Sequence, residues 1–213
     1  MRLIVFDLDH TLLTANSSFR FGAYLYRQGV YSSWTLVGCL VDYARHKWMG
    51  MSIFDLHQKI FIRLFKGLPL VDIHRFAAQF ASESLEAMLY PPTLLKLKEA
   101  LARKDHVVIL SSSPDFLVGE IAHHLEVEHW KATVYQSDEK GELCAISEVM
   151  EGENKADHLK KLSDKLEMPQ SAITVYSDSY LDLPMLKMAG EAIAVRPDFR
   201  LKRICLENGW EIL

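Results

Sequence analysis

The feature that most constrains the fold is the regular alternation of helical and short apolar patterns in the second half of the chain. After Thr93, a helical pattern over residues 94–103 precedes an apolar run at 106–110, and later apolar runs cover 173–176 and 192–195. Strands that alternate with helices predict a parallel sheet covered on both faces. A similar run, Leu3–Phe6, predicts a further buried strand near the start. The chain is therefore expected to be an α/β protein with a doubly wound parallel sheet.

The segments between these strands also carry interpretable patterns. Ser111–Pro114 is expected to open a helix, because proline fits the first helical turn. The sequence around Glu139–Gly141 predicts a hairpin with strands at 132–136 and 142–147. Further helices are predicted over residues 154–166, over 181–188 and from residue 199 onward.

Residues 19–89 show only helical patterns and form a predicted insertion. A polar stretch, Thr14–Ser18, precedes the insertion, and the segment Tyr90–Thr93 with its paired prolines follows it. Four helices are expected, at 19–28, at 33–47, from Ser52 and after Pro69. We therefore predict two domains, an α/β core of residues 1–15 and 91–213 and a helical domain of residues 16–90.

Composition excludes several classes of function. The chain has 213 residues, 49% of them hydrophobic, and a net charge of -4, which argues against nucleic acid as a partner. No apolar run in the first half approaches the roughly 20 residues of a membrane span. Three widely spaced cysteines and the absence of a signal-peptide pattern predict a cytoplasmic protein with reduced thiols.

Polar side chains follow several of the predicted strands. Asp7 and Asp9 come directly after the first strand, Ser111 follows the second, and Ser177–Ser179 follows a later one with Asp182 close behind. Ligands of such sheets bind at the carboxyl ends of the strands. Asp7 and Asp9 alone are compatible with a turn, a metal site, or a nucleophile and its acid/base partner. If the segment stays extended, both carboxylates point to the same side.

The complete set of residues suits phosphoryl transfer. Asp7 can attack phosphorus as a nucleophile, and Asp9 can protonate the leaving group and later activate water. Mg²⁺ would be held by Asp7 and Asp178, because it prefers oxygen ligands. Ser111 and neighbouring amides would bind the phosphoryl oxygens, and Lys155, which starts a predicted helix, would supply a fixed positive charge.

These motifs resemble those of the haloacid dehalogenase superfamily of phosphatases. The similar segments are Asp7–Thr11, Ser111–Pro114, Glu151–Lys155 and Ser177–Pro184, and they are most similar to subfamily IB, which includes phosphoserine phosphatase. The resemblance implies a Rossmann-like core, a helical C1 cap and Mg²⁺. It also implies an aspartyl-phosphate on Asp7, a metal contact from the Asp9 carbonyl, and phosphate binding by Ser111, Ser112 and Lys155. Thr11, Ser179 and Asp182 would be supporting residues, with Asp182 reaching the metal through water or orienting Lys155.

Two positions depart from the phosphoserine phosphatase pattern. Asn16 stands where that group has a glutamate for the substrate ammonium, and Phe61 stands where it has an arginine for the substrate carboxylate. Without these charges, phosphoserine is expected to be a poor substrate.

The predicted cap is aromatic and cationic. Fourteen of the 22 aromatic residues lie between Phe19 and Tyr90, and residues 17–90 carry a net charge of +3, which leaves -7 elsewhere. Most of these aromatics suit the core of a helix bundle. They are also compatible with an apolar, cationic mouth for an amphiphilic substrate, with Arg20, Arg63 and Lys66 as candidate anion contacts.

The leading hypothesis is a Mg²⁺-dependent phosphomonoester hydrolase for a small or amphiphilic metabolite. A phosphatidylglycerophosphate-type lipid phosphatase, a phosphotransferase and a non-catalytic module on the same fold are alternatives. A peripheral membrane contact is compatible with the sequence, and the oligomeric state is open.

Overall fold

The computed structural model describes the backbone of residues 1–213 and every side chain except those of His46, Lys47 and Ile53. Seven strands form one sheet: β1 Leu3–Phe6, β2 His106–Pro114, β3 His129–Ser137, β4 Leu143–Glu148, β5 Ile173–Ser177, β6 Glu191–Ala194 and β7 Glu211–Ile212. The helices are α1 Ser17–Arg27, α2 Ser33–Met49, α3 Ile53–Leu64, α4 Leu70–Ser84, α5 Pro91–Ala102, α6 Asp115–His124, α7 Gly152–Lys165, α8 Leu183–Leu186 and α9 Phe199–Asn208.

Strand β1 lies at the centre of the sheet, whose order is β4-β3-β2-β1-β5-β6-β7. Leu3 pairs with His106 of β2 and with Ile173 of β5, both in parallel register. All strands are parallel except β4, which runs antiparallel to β3. The carboxyl ends of β1, β2 and β5 therefore meet at one edge of the sheet.

Alternate residues of β1 face two hydrophobic clusters, one on each face of the sheet. Ile4 and Phe6 belong to a cluster that includes buried residues of α5 and α6, whereas Leu3 and Val5 belong to one that includes residues of α7 and α9. This alternation is the two-residue period of a strand buried on both faces. The predicted doubly wound α/β fold is confirmed.

Helices α1 to α4 lie between β1 and β2 in the chain. Side-chain caps mark the starts of α1 and α3, because the side chain of Asn16 accepts a hydrogen bond from Phe19 N (2.8 Å) and Ser52 Oγ accepts one from Asp55 N (3.0 Å). Phe21 of α1 contacts Phe116 of α6, with ring centroids 6.0 Å apart. The four helices and one face of the sheet therefore share a single hydrophobic cluster.

Strand β2 extends beyond its predicted end. The prediction that Ser111–Pro114 opens a helix is wrong, because these residues remain in the strand and Pro114 pairs with Thr133 of β3. Pro114 has extended backbone angles (φ -59°, ψ 140°), and the helix starts only at Asp115.

Two helix boundaries and one strand also differ from the predictions. The segment predicted as one helix over 181–188 is a 3₁₀ turn, Tyr180–Asp182, followed by the short α8. Helix α5 already begins at Pro91, because proline is tolerated in the first turn. Strand β7 was not predicted, since two residues are too few for a periodic pattern.

The described residues include no helix with the length and apolarity that a membrane crossing requires.

Candidate active site

A buried lysine contacts two carboxylates at the edge of the sheet where the carboxyl ends of β1, β2 and β5 meet. Lys155 Nζ lies 2.7 Å from Asp7 Oδ1 and 2.9 Å from Asp182 Oδ2, and all three side chains are buried. Asp7 directly follows β1. Its backbone N–H donates a hydrogen bond to the carbonyl of Tyr176 in β5 (2.9 Å), which fixes Asp7 beside that strand. Lys155 lies in the first turn of α7, where the helix dipole disfavours a cation, and the two carboxylates compensate for this.

The electrostatics of this group follow from burial and crowding. Burial raises the pKa of Asp7 to about 7, the charge of Lys155 opposes this increase, and Asp182 adds to it. Burial by itself would lower the pKa of Lys155, but the charges of Asp182 and Asp7 outweigh it and raise this pKa above its ordinary value. Lys155 therefore remains a cation at neutral pH.

Asp182 is oriented by two donors. Lys155 Nζ contacts its Oδ2, and Ser177 Oγ donates to the same oxygen at 2.7 Å. Of the two roles expected for Asp182, the structure shows direct contact with Lys155. Ser177, at the end of β5, was not among the predicted site residues, although the sequence places it directly before Asp178.

Asp178 lies beside this group. Thr11 Oγ1 contacts Asp178 Oδ1 at 3.4 Å, which brings a predicted supporting residue next to a predicted metal ligand. Burial raises the pKa of Asp178 to about 8, and the charges of Asp7 and Asp182 add to this increase while Lys155 opposes it. Three carboxylates thus share the neighbourhood of one ammonium group.

This crowding fits a divalent cation. Among the described side chains, no three His, Cys, Asp or Glu residues converge as a ready-made metal cage. Mg²⁺ does not need such a cage, since it commonly binds through one or two carboxylates and keeps several waters. Asp7 and Asp178 would offer such an ion two carboxylate oxygens, and the ion would reduce their mutual repulsion.

The segment after β1 turns instead of continuing as a strand. Residues Leu8–Leu12 form a tight turn closed by a hydrogen bond from Leu13 N to Leu8 O (3.0 Å), with His10 in the left-handed region at φ 60°. The backbone is extended at Asp7 (φ -69°, ψ 158°) and at Asp9 (φ -71°, ψ 132°), and it turns at His10. The carboxylates of Asp7 and Asp9 have separate hydrogen-bond partners.

The Asp9 carboxylate is fixed by the start of α1 and the end of β2. Ser17 N donates to Asp9 Oδ1 at 2.7 Å, and Ser113 Oγ donates to Asp9 Oδ2 at 2.7 Å. Asn16 Nδ2 adds a contact of 3.2 Å to the same Oδ2. Asn16 is thus both the N-cap of α1 and a neighbour of Asp9.

Ser113 is a site residue that the sequence interpretation missed. Its hydroxyl contacts Asp9 and also lies 3.0 Å from Ser17 Oγ and 2.7 Å from Ser18 Oγ. The signal was present, since Ser113 belongs to the Ser111–Pro114 segment, but that segment was assigned to a helix start. In the strand that actually forms, Ser113 reaches Asp9.

The two predicted phosphate-binding serines lie at the same end of β2. Ser111 is buried, and its Oγ accepts a hydrogen bond from Ser113 N (3.1 Å), so its own proton can be donated to a ligand. The carbonyl of Ser112 accepts from Thr133 Oγ1 at 2.7 Å, which ties this strand end to β3.

Arg196 was also missed, and it stabilises the turn that carries Asp9. Its Nη2 donates to the carbonyls of His10 (2.7 Å) and Leu13 (2.9 Å), and its guanidinium lies 4.2 Å from the ring centroid of Tyr90. No sequence motif indicated this contact across 186 positions. Ser179, a predicted supporting residue, shapes the neighbouring turn by accepting from Leu181 N at 3.2 Å.

The candidate substrate residues of the helical insertion fall into different environments. Arg20, Arg63 and Lys66 are all exposed, but Arg63 also pairs with the buried Asp42 at 2.9 Å. Phe61 is in the hydrophobic core, where its ring packs 5.4 Å from that of Tyr135. The expectation that Phe61 faces a substrate is therefore corrected, because its side chain is buried.

The chain is similar to known proteins in both sequence and fold. The sequence model of the haloacid dehalogenase-like hydrolases matches residues 4–187. A phosphoserine phosphatase of Mycobacterium tuberculosis is 26% identical over 97% of this chain and 68% of its own length. A histidinol-phosphatase of Neisseria meningitidis is 24% identical over 99% and 97% of the two chains. A Bordetella pertussis protein of unknown function has the same fold, with a TM-score of 0.86, 22% identity and coverage of 100% and 97%.

The fold, the strand-end carboxylates and these matches define a hydrolase of phosphoric monoesters. The chain belongs to the haloacid dehalogenase-like hydrolase family, as its sequence motifs indicated.

Proposed function

We propose that this enzyme is a Mg²⁺-dependent phosphatase that works through an aspartyl-phosphate on Asp7. The observation that carries the proposal is the buried contact of Lys155 with both Asp7 and Asp182 beside the carboxyl end of the central strand β1. The positive charge of Lys155 opposes the increase in the Asp7 pKa that burial causes, and its contact orients the Asp7 carboxylate for attack. Lys155 also leaves a positive charge beside the position of an incoming phosphate.

In the first step, Asp7 is the nucleophile. Lys155 binds Oδ1 of Asp7, and we assign the attack on phosphorus to Oδ2. A bond forms between Oδ2 and phosphorus while the bond from phosphorus to the leaving-group oxygen breaks. The leaving oxygen takes the proton that Asp9 donates.

In the second step, Asp9 acts as a base. It removes a proton from a water molecule, whose oxygen bonds to phosphorus while the bond between phosphorus and Oδ2 of Asp7 breaks, which releases inorganic phosphate and restores Asp7. The contacts of Asp9 with Ser17 N and Ser113 Oγ fix its carboxylate for both proton transfers. Their loss would therefore slow both steps.

The remaining polar groups bind phosphate and cation. Ser111, with Ser112, would donate to the phosphoryl oxygens, and Lys155 would contribute charge. Asp7, Asp178 and the carbonyl of Asp9 would hold Mg²⁺, which supplies positive charge to offset the repulsion between carboxylate and phosphate. Thr11 orients Asp178.

We propose that residues 16–90 act as a cap that selects a small or amphiphilic phosphometabolite. The side chain of Asn16 accepts a hydrogen bond from Phe19 N and donates one to Asp9. It also carries no negative charge that could bind a substrate ammonium group. Phe61 is buried and uncharged. Two relatives of nearly equal identity are named for different substrates, phosphoserine and histidinol phosphate. The relatives therefore do not select a substrate, and the absence of a charge at both Asn16 and Phe61 supports phosphoserine being a poor substrate here.

We also propose a cytoplasmic location. Its support is that Cys39, Cys144 and Cys205 are free thiols, which are typical of reducing compartments.

The test is phosphate release from a panel of monoesters, measured with Mg²⁺ and with excess chelator. Asp7→Asn is expected to abolish release, because an amide cannot form the phosphoryl bond. Asp72→Asn is the matched control, since Asp72 pairs with Arg75 at the start of α4, outside the site. Equal activity of wild type and Asp7→Asn would refute the nucleophile, and activity unaffected by the chelator would refute the metal.

A further inference from the structure

Helix α2 exposes large apolar side chains along its length. Trp34 and Trp48 are 81% and 78% exposed, and Val37 and Val41 between them are 46% and 50% exposed. At the angular period of an α-helix, these four residues lie within about 60° of one another on the helix surface. We call these four side chains the α2 stripe. An exposed apolar patch of this kind marks an interaction surface.

The acidic residue of α2 is buried, whereas a basic residue of the same helix is exposed to solvent. Its acidic residue, Asp42, is only 2% exposed and pairs with Arg63 (2.9 Å) and Lys59 (3.9 Å) of α3. Arg45 is exposed, and its position on the helix is about 20° from that of Trp34. Within the described side chains of α2, the solvent side therefore carries apolar and basic groups but no carboxylate.

The insertion that contains α2 has a net positive charge, whereas the rest of the chain is net negative. Residues 17–90 carry +3, and the rest of the chain carries -7. The apolar stripe thus lies on the positive part of a negatively charged protein. Tryptophan favours the boundary between water and lipid, and neighbouring basic residues favour anionic headgroups.

We propose that the α2 stripe docks this enzyme onto the surface of a membrane that contains anionic phospholipid. Trp34 and Trp48 are 14 positions apart, which corresponds to about 21 Å along the helix axis. Two tryptophans at this separation on one side of a helix would hold it parallel to the bilayer plane. Docking of this type is peripheral.

A second copy of the chain fits the α2 stripe less well. A helix of this length presents a face of about 25 by 10 Å, or about 250 Å². A stable protein interface buries about 800 Å² on each partner. Two copies packed through this face would also bring their positive insertions together, whereas an anionic lipid surface offers complementary charge.

The test is co-sedimentation of the full chain with vesicles, either phosphatidylcholine alone or phosphatidylcholine mixed with phosphatidylglycerol. We expect binding to the anionic vesicles, weakened by added salt, and little binding to the neutral ones. The double variant Trp34→Gln/Trp48→Gln should bind the anionic vesicles at least about tenfold less. The control Phe199→Gln/Leu206→Gln removes two apolar side chains of α9 that are 84% and 72% exposed, and it should bind like wild type.

The readout needs no substrate, so it is independent of the proposed phosphatase mechanism, and far-UV circular dichroism with thermal denaturation verifies that each variant folds. Equal binding to neutral and anionic vesicles would overturn the role of charge. Undiminished binding by the tryptophan variant would overturn the α2 stripe. If wild type binds no vesicles but forms a concentration-dependent dimer that the tryptophan variant does not form, the α2 stripe contacts a second copy of the chain and not a membrane.

Discussion

At the scale of single residues, the site depends on how each carboxylate is paired. Asp7 and Asp9 are two positions apart, yet one contacts Lys155 and the other contacts Ser113 and the start of α1. The sequence identified both acids and Lys155. It did not identify Ser113, because that contact exists only if β2 runs on past Ser111.

Ser113→Ala tests the positioning of Asp9. A hydrogen bond to a charged group contributes roughly 1.5–3 kcal/mol, so kcat for an alkyl phosphate should fall about 10- to 100-fold. The first step with p-nitrophenyl phosphate should be affected much less, because p-nitrophenolate leaves without a proton. Pre-steady-state release of p-nitrophenol and steady-state release from an alkyl ester measure the two cases.

The control for this variant is Ser147→Ala, since Ser147 is an exposed serine on β4. An equal loss on both substrates would mean that Ser113 acts on folding or phosphate binding and not through the acid. No loss on either substrate would mean that its contact with Asp9 is dispensable.

At the scale of elements, local signals located most helices but not their ends. Asn16 and Ser52 cap α1 and α3 as expected of their residue types. Pro114 was misassigned because a proline before a helix suits both the N-cap and the first turn, and only pairing with Thr133 of β3 decides. That information is non-local and is absent from a short window of sequence.

Phe61→Ala tests whether α3 is anchored through the core. Burial of Phe61 against Tyr135 predicts that the free energy of unfolding falls by about 3–5 kcal/mol. Ile62 is a neighbouring residue whose side chain is 60% exposed, so Ile62→Ala should lower the free energy of unfolding by only about 0.5 kcal/mol or less. Urea denaturation measures both values. A near-neutral Phe61→Ala with a raised KM would instead place Phe61 at the substrate.

At the scale of the whole molecule, sequence alone predicted the fold class, and the family match confirms it. The alternation of helices and strands, together with polar strand ends, is enough to bring Asp7, Lys155 and Asp178 to one edge. The division into domains at residues 16 and 90 stays a prediction, since α1 to α4 share a hydrophobic cluster with the sheet. Substrate choice was not predictable, because under the proposed cap role it would depend on side-chain directions in the insertion.

Metal binding should stabilise the whole molecule. A ligand at 100 times its Kd stabilises the folded state by about 2.7 kcal/mol, so saturating Mg²⁺ should raise the Tm of wild type. Asp178→Asn should lose this increase, whereas Asp164→Asn, at an exposed position on α7, should keep it. Differential scanning calorimetry with and without Mg²⁺ makes the comparison. An equal increase in both variants would place the cation elsewhere.

The most direct test of the central claim is acid-quench mass spectrometry of Asp9→Asn reacting with p-nitrophenyl phosphate. In the proposed mechanism this variant lacks the base for the second step, and its substrate needs no acid for the first. We predict a burst of p-nitrophenol equal to the enzyme concentration, with one phosphoryl group on the peptide that contains Asp7. Linear release without a burst, or a phosphoryl group on any other residue, would contradict the assignment of Asp7 as the nucleophile.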